Sequence, residues 1–163
     1  MLIAHELAHL LLDSRVFPST RGPEFENISS AINSLVHYPH VFRILLEYGL
    51  DTYPAFRREI NRDKRTLGRE RRSPADHFQQ MHWSVNCVSK VLESRALGKR
   101  AEALANRFLS WFNARYPDLV SMNDRLLLLV EETGFDTPAS MREPLAGIIC
   151  EYGLEGKVAL AGS

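Results

Sequence analysis

Apolar and polar positions follow one another along this chain with the period of the α-helix over most of its length. Apolar residues recur at steps of four, three and one at Ile28, Ile32, Leu35 and Val36, which predicts an amphipathic helix. Alternation with a period of two is almost absent, so we predict a mainly α fold with little or no sheet. The predicted helices cover residues Leu2–Leu12, Glu24–Val36, His40–Tyr48, Pro54–Leu67, Gly98–Tyr116, Asp118–Thr133 and Thr137–Tyr152, another helix begins near Ser73, and one short strand covers Lys157–Leu160.

The ends of several predicted helices carry recognisable signals. Gly49, Gly134 and Gly153 each follow a helical run, where glycine adopts the left-handed conformation that terminates a helix at little cost. Ser73 precedes Pro74 and is predicted to be the N-cap of the next helix. Because EYGLD and EYGLE share this helix stop, we interpret their similarity as a common termination signal.

Composition is that of an ordinary globular domain. The chain has 163 residues, of which 45% are hydrophobic and 25% charged. This length can bury a sizeable core within one domain. We therefore predict a single helical domain over residues 1–163, in which residues 1–50 carry the helices of the functional site and residues 73–152 form a supporting bundle.

Charge and cysteine content limit the class of partner. The formal net charge is zero, which argues against a protein dominated by nucleic acid binding. Residues 57–72 do contain eight Arg or Lys against three acids, but without interleaved aromatic residues we expect a solvated helix and not a nucleic acid site. No apolar run is long enough to span a membrane. The two cysteines suggest a reduced protein, so we expect a cytoplasmic one.

The first predicted helix contains the most specific chemical signal. His5, Glu6 and His9 spell H-E-x-x-H within an otherwise apolar run that lacks Gly and Pro. One helical turn separates the two histidines, so both imidazoles can bind the same zinc ion. Glu6 lies about 100° around the helix, where its carboxylate can act on water without being a ligand.

The run IAHELAHLLLD resembles the active-site helix of the zincin metallopeptidases. The resemblance implies that His5 and His9 hold Zn²⁺, that Glu6 is the general base for a zinc-activated water, and that peptide bonds are hydrolysed. The extended metzincin motif is excluded, because Leu12 and Arg15 replace its glycine and third histidine. What remains is the gluzincin type, with a glutamate ligand on a following helix, or a form that uses aspartate.

The sequence offers four candidates for the third metal ligand. We favour Glu26, because Ser29 and Ser30 follow it at the spacing of small residues seen after the gluzincin glutamate. Glu24, His37 and Asp13 are the alternatives, with Asp13 better suited to orienting a histidine than to binding zinc. Glu26 and His37 exclude each other, since eleven residues of straight helix separate them by about 16 Å.

Two further features complete the hypothesis. The donor that stabilises the oxyanion is open among Tyr38, Tyr53, His77 and His82. In zincins the active-site helix follows a sheet whose edge strand holds the substrate, whereas here Met1 stands four residues before His5. We therefore expect that a preceding segment or a partner chain completes the cleft for a peptide or protein substrate, or that the substrate cleft has been lost. The alternative function is a non-catalytic helical interaction domain that retains a structural or vestigial zinc site.

Overall fold

The computed structural model describes residues 2–14 and 17–161, apart from the side chains of residues 2, 3, 5 and 13. The described residues form seven α-helices, two short 3-10 helices and two strands. The helices are α1 (Leu2–Ser14), α2 (Glu26–Glu47), α3 (Tyr53–Leu67), α4 (His77–Leu97), α5 (Lys99–Arg115), α6 (Val120–Thr133) and α7 (Pro138–Glu151). The strands β1 (Ser19–Arg21) and β2 (Ala159–Ala161) pair antiparallel, with Thr20 opposite Leu160. The predicted mainly α fold class is confirmed.

Helix α2 differs most from its prediction, since the two expected helices ending at Val36 and starting at His40 are one. Pro39 lies inside α2 and removes a backbone hydrogen bond that the helix would otherwise make. Leu35 and Val36 before Pro39 and Val41 after it are completely buried. Their burial offsets the roughly 3 kcal/mol cost of an interior proline, which local sequence signals do not include.

Two other local predictions are corrected. Helix α4 begins at His77 with Asp76 as its N-cap, not Ser73, because the Asp76 carboxylate accepts a hydrogen bond from the Gln79 amide. Ser73 instead donates its hydroxyl hydrogen to Asp118. The segment between the predicted helices Leu2–Leu12 and Glu24–Val36, where no strand was predicted, contains β1, whose partner β2 overlaps the one predicted strand.

Other helix ends agree with prediction. Gly49, Gly134 and Gly153 all have positive φ, with values of 73°, 73° and 62°. Thr137 caps α7 by accepting a hydrogen bond from the Ser140 amide, and the Ser140 side chain accepts one from the Thr137 amide in return. Among the residues described, no helix is both long and apolar enough to cross a membrane.

Helices α2 and α4 form the centre of the molecule and divide its apolar side chains into two clusters. One cluster joins α2 and α4 to α6, α7 and β2, and includes Met81, Leu92, Leu126 and Met141. The other joins them to α1, α3 and α5, and includes Phe56, Phe112 and Tyr116. Helix α1 packs on α2 through Ala8 and Leu12, which are 1% exposed. The apolar side of the motif helix therefore fixes how it lies against α2.

Candidate metal centre

A cavity of about 790 Å³ lies between α1, β1 and α2. It is lined by two residues of the motif, Glu6 and His9, by two candidates for the third ligand, Glu26 and His37, and by Tyr38. Glu24 does not line this cavity and contributes to a neighbouring one beside Phe78. The fold thus brings the motif helix and the polar side of α2 to one site.

His9 and His37 are neighbours within the cavity. Their ring centroids are 6.5 Å apart and the ring planes are inclined by 42°. His37 is 5% exposed, whereas His9 is half-buried. With Zn–N bonds of about 2.0–2.1 Å, two imidazoles on one tetrahedral zinc have centroids roughly 5 Å apart. The observed separation is therefore about 1.5 Å longer than that of two imidazoles which share one zinc ion.

His37 is oriented by a backbone carbonyl. Its Nε2 lies 2.8 Å from the carbonyl oxygen of Pro18, which can only accept a hydrogen bond. Nε2 therefore carries the proton, and in the neutral ring Nδ1 has the lone pair. A histidine whose other ring nitrogen donates to a carbonyl is the usual arrangement of a zinc ligand.

The packing of α1 bears on the choice between His37 and Glu26. His9 contacts Tyr38 as well as His37, with the centroids of the His9 and Tyr38 rings 5.5 Å apart. Ala8 and Leu12 cluster with Val41 and other apolar residues farther along α2. Helix α1 thus crosses the middle and C-terminal half of α2. Glu26 begins α2, is exposed, and lies about 16 Å along the axis from His37.

His5 and Asp13 belong to the backbone of α1, but their side chains lie outside the described part of the structure. Among the described side chains, no three His, Cys, Asp or Glu lie close enough together to hold one metal ion. A centre at this cavity that contains both His9 and His37 therefore needs a third ligand from outside the described side chains, either His5, one turn before His9 on α1, or Asp13, one turn after it.

Tyr38 stands out among the four residues considered as oxyanion donors. It lines the cavity beside His9, while Tyr53, His77 and His82 do not line it. His82 faces two neighbouring cavities, and its burial lowers the pKa of the imidazole. Glu6 lines the cavity with an exposed side chain. The chemically able groups at the site are thus Glu6, Tyr38 and the imidazoles.

Asn33 attaches β1 to α2, a role that its sequence pattern did not reveal. Its Oδ1 accepts a hydrogen bond from the Thr20 amide at 2.6 Å, and its Nδ2 donates to the Thr20 carbonyl at 3.0 Å. The Thr20 hydroxyl donates to the Ser29 carbonyl at 3.1 Å. Asn33 and His37 belong to a polar stripe of α2 that also includes Glu26 and Ser30, and the two hold the segment from Pro18 to Thr20. Because β2 pairs on the other side, β1 has no open edge at Thr20.

A second cavity of about 440 Å³ adjoins the first and shares Ser34 and Tyr38 with it. On its wall the Lys90 ammonium lies 3.0 Å from Glu59 and 3.1 Å from Glu93. Burial alone would lower the pKa of Lys90, but Glu93 and Glu59 hold it above its ordinary value. Burial raises the pKa of Glu93 to about 7. Lys90 and Glu93 are one helical turn apart, but Glu59 lies 31 residues before Lys90, so the sequence did not indicate this cluster.

No family model, curated protein or solved structure matches the chain.

Proposed function

We propose that the protein is a zinc-dependent metallopeptidase-like hydrolase whose centre is the cavity between α1 and α2. The observation that carries the proposal is the contact between His9 and His37, with ring centroids 6.5 Å apart, beside Glu6. It supports a ligand set of His5, His9 and His37. Glu26 is the alternative third ligand, and it is disfavoured because α1 crosses α2 away from its first turn.

The donor set fits zinc. Neutral imidazoles are among the commonest zinc ligands, and three of them leave one coordination position for water or substrate. The hydrogen bond from His37 to Pro18 supplies the outer support that such ligands require. When bound, zinc would polarise the scissile carbonyl and lower the pKa of water at the centre to about 7.

Three residues of the chain would have separate roles in the reaction: Glu6, Tyr38 and Asn33. The Glu6 carboxylate would accept a proton from the attacking water and deliver it to the leaving amine, a role that contributes about 10²–10⁴-fold in rate. The Tyr38 hydroxyl would donate a hydrogen bond to the oxyanion of the tetrahedral intermediate. Asn33 would hold β1, and with it the wall of the cavity formed by Ser19 and Arg21.

Hydrolysis of a denatured protein substrate by the zinc-loaded protein tests this function. Wild type should cleave the substrate, and Glu6→Gln should retain zinc but lose at least about 100-fold in kcat/KM. Glu47→Gln, at an exposed residue of α2 outside the cavity, is the matched control and should keep wild-type activity. Zinc binding without any Glu6-dependent hydrolysis would contradict the peptidase proposal.

One observation favours the second candidate, a non-catalytic interaction domain with a structural zinc site. Asn33 occupies the outward backbone groups of Thr20, so β1 does not present these groups to an extended peptide. Peptide substrates are commonly held by adding a strand to a sheet edge. Under this alternative, zinc would raise the melting temperature while the Glu6→Gln variant behaves as wild type in every assay.

We further propose a cytoplasmic location. Both cysteines, Cys87 and Cys150, are free, and the Cys87 thiol is buried with its pKa raised by burial. Unpaired cysteines are typical of reducing compartments. Detection of the protein in the reducing cytoplasmic fraction of its cells would agree with this proposal, and its detection only outside the cell would contradict it.

A further inference from the structure

Charge is distributed very unevenly in this electrically neutral chain. Residues 57–72 and 99–115 contain twelve of its 20 Lys and Arg but only four of its 20 acids. These two segments therefore carry a formal charge of eight positive units, and the remainder carries eight negative units. The zero net charge, which argued against a polyanionic partner, is therefore the sum of two strongly charged parts of the chain with opposite sign.

The two segments are neighbours in the fold. Helix α3 contacts α5 along its length, because Arg100 lies over the ring of Tyr53 at 4.3 Å and Lys64 over that of Trp111 at 5.2 Å. The buried residues Phe56 and Ile60 face the core, which leaves the opposite side of α3 to solvent. That side bears Arg58, Arg62 and Arg65, and the flank toward α5 bears Arg57 and Lys64; all five are exposed.

The loop after α3 extends the same charged face. Arg115 of α5 donates hydrogen bonds to the carbonyls of Gly68 and Glu70, and the Tyr116 hydroxyl donates to that of Leu67. These contacts fix the backbone that carries three further exposed cations. We define the basic face as the exposed cations of α3, this loop and the adjoining side of α5: Arg57, Arg58, Arg62, Lys64, Arg65, Arg69, Arg71, Arg72, Arg100, Arg107 and Arg115.

The acids in these segments leave most of the basic face uncompensated. Glu59 pairs with the buried Lys90. Glu102 lies about 160° around α5 from Arg100. Asp63 is 3.6 Å from the neighbouring Arg62 guanidinium, and the last acid lies in the loop after α3. These two carboxylates therefore offset only a small part of the positive charge.

We propose that the basic face binds the phosphate backbone of a double-stranded nucleic acid, independently of base sequence. Helix α3 is about 22 Å long, and a duplex presents one negative charge per about 1.7 Å of axis, so the face meets a continuous line of phosphates. All but one of its cations are arginines, whose planar guanidinium binds phosphate in a bidentate manner.

Two observations favour a duplex over other polyanions. Trp111 is covered by Lys64 and stacked on Phe108 with centroids 5.8 Å apart, so it is not presented for base stacking with a single strand. Among the described residues, the exposed large apolar side chains all lie outside the two segments, which disfavours insertion into a membrane surface.

Fluorescence anisotropy with labelled duplexes of roughly 20 base pairs, one of DNA and one of RNA, tests the proposal between about 50 and 200 mM salt. Wild type should bind with a log Kd that rises steeply with log salt. The variant Arg58→Gln/Arg62→Gln/Arg65→Gln should bind roughly 100-fold more weakly, with a salt slope smaller by about 3. The matched control Arg43→Gln/Arg125→Gln/Arg142→Gln removes three exposed cations elsewhere and should stay within about threefold of wild type.

Several results would overturn the proposal. They are the absence of duplex binding at about 50 mM salt, and an equal loss in both triple variants when circular dichroism shows both folded. Equally tight binding of polyglutamate would assign the face to an acidic protein, and equally tight binding of anionic vesicles would assign it to a membrane. Salt-sensitive self-association by sedimentation, lost in the first variant, would assign the face to the acidic surface of a second copy.

Discussion

The imidazole of His37 lies 6.5 Å from that of His9, centroid to centroid, and donates its Nε2 hydrogen to the carbonyl of Pro18. The contact links α1 to the middle of α2. It changes the ranking of the third ligand, because sequence spacing alone had favoured Glu26. The two candidates lie about 16 Å apart along α2, so substitution experiments separate them.

Zinc affinity should depend on His37 and not on Glu26. Loss of a ligand in His37→Ala should weaken zinc binding at least about 100-fold, more than removal of an outer-shell partner usually does. Glu26→Ala should stay within about threefold of wild type. Competition with a chromophoric chelator measures both, and circular dichroism reports whether His37→Ala remains folded. The opposite ranking would restore Glu26 as the ligand.

Zinc binding should also weaken in acid. Ligating histidines must be deprotonated, and their ordinary pKa is about 6.5. For two or three histidine ligands, affinity should fall by roughly 100- to 1,000-fold for each pH unit below about 5.5. Chelator competition at several pH values gives this slope, and a slope near zero would exclude histidine ligation.

Asn33 should stabilise the wall of the cavity. Asn33→Ala leaves the Thr20 amide and carbonyl without their side-chain partner, which should cost about 1–3 kcal/mol in the free energy of unfolding. Hydrogen exchange at the Thr20 amide should accelerate as β1 detaches from α2. Ser30→Ala, at an exposed position three residues earlier, is the matched control and should leave both quantities unchanged. Normal protection at Thr20 in Asn33→Ala would contradict this role.

The capping box of α7 should contribute separately. Thr137→Ala removes the side chain that accepts the Ser140 amide hydrogen and should destabilise the protein by about 1 kcal/mol. Arg142→Ala, at an exposed position one turn farther along α7, should change the unfolding free energy by less than about 0.5 kcal/mol. Urea denaturation compares the two variants, and equal effects would show that the cap is not the stabilising element.

Much of the fold could be predicted because helix periodicity and helix stops are local signals. The runs from Tyr53 to Leu67 and from Lys99 to Arg115 were predicted to within a residue or two. The continuity of α2 through Pro39 could not be, because it depends on burial against other helices. Strand β1 has only three residues, which is too short for a recognisable alternating pattern. Its partner β2 lies near the other end of the sequence, so no local signal indicates the pairing.

The candidate site was predictable in part for the same reason. H-E-x-x-H is a local pattern, and its helix was predicted correctly. The polar stripe of α2 was visible, but its cause was not, since the partners of Asn33 and His37 are backbone groups of Thr20 and Pro18. Nearly every residue has the same backbone amide and carbonyl, so residue types do not show which of these groups bind the two side chains. The choice of third ligand likewise depends on where α1 crosses α2, which is a property of the packed fold.

Stability should decrease as the pH rises toward neutrality because of Glu93. Its pKa is raised to about 7 by burial, above the ordinary 4.5, so folding takes up a proton between these values. The stabilisation of the folded state by the protonated carboxyl is complete below about pH 4.5 and is lost as the pH rises through about 7, a change of roughly 3 kcal/mol. Glu93→Gln mimics the protonated carboxyl and leaves Lys90 paired with Glu59. The free energy of unfolding of Glu93→Gln should therefore not fall as the pH rises, and at pH 8 it should exceed that of wild type. Urea titrations at several pH values measure both proteins.

The exposed Glu132 provides the control for this measurement. Glu132→Gln removes the same charge from the surface of α6 and should keep the pH dependence of wild type. If Glu93→Gln were instead less stable than wild type at pH 8, an ionised Glu93 would be stabilising through Lys90. Lys90 and Glu93 would then both be charged at neutral pH, and Glu59 would not be the only carboxylate that balances the lysine.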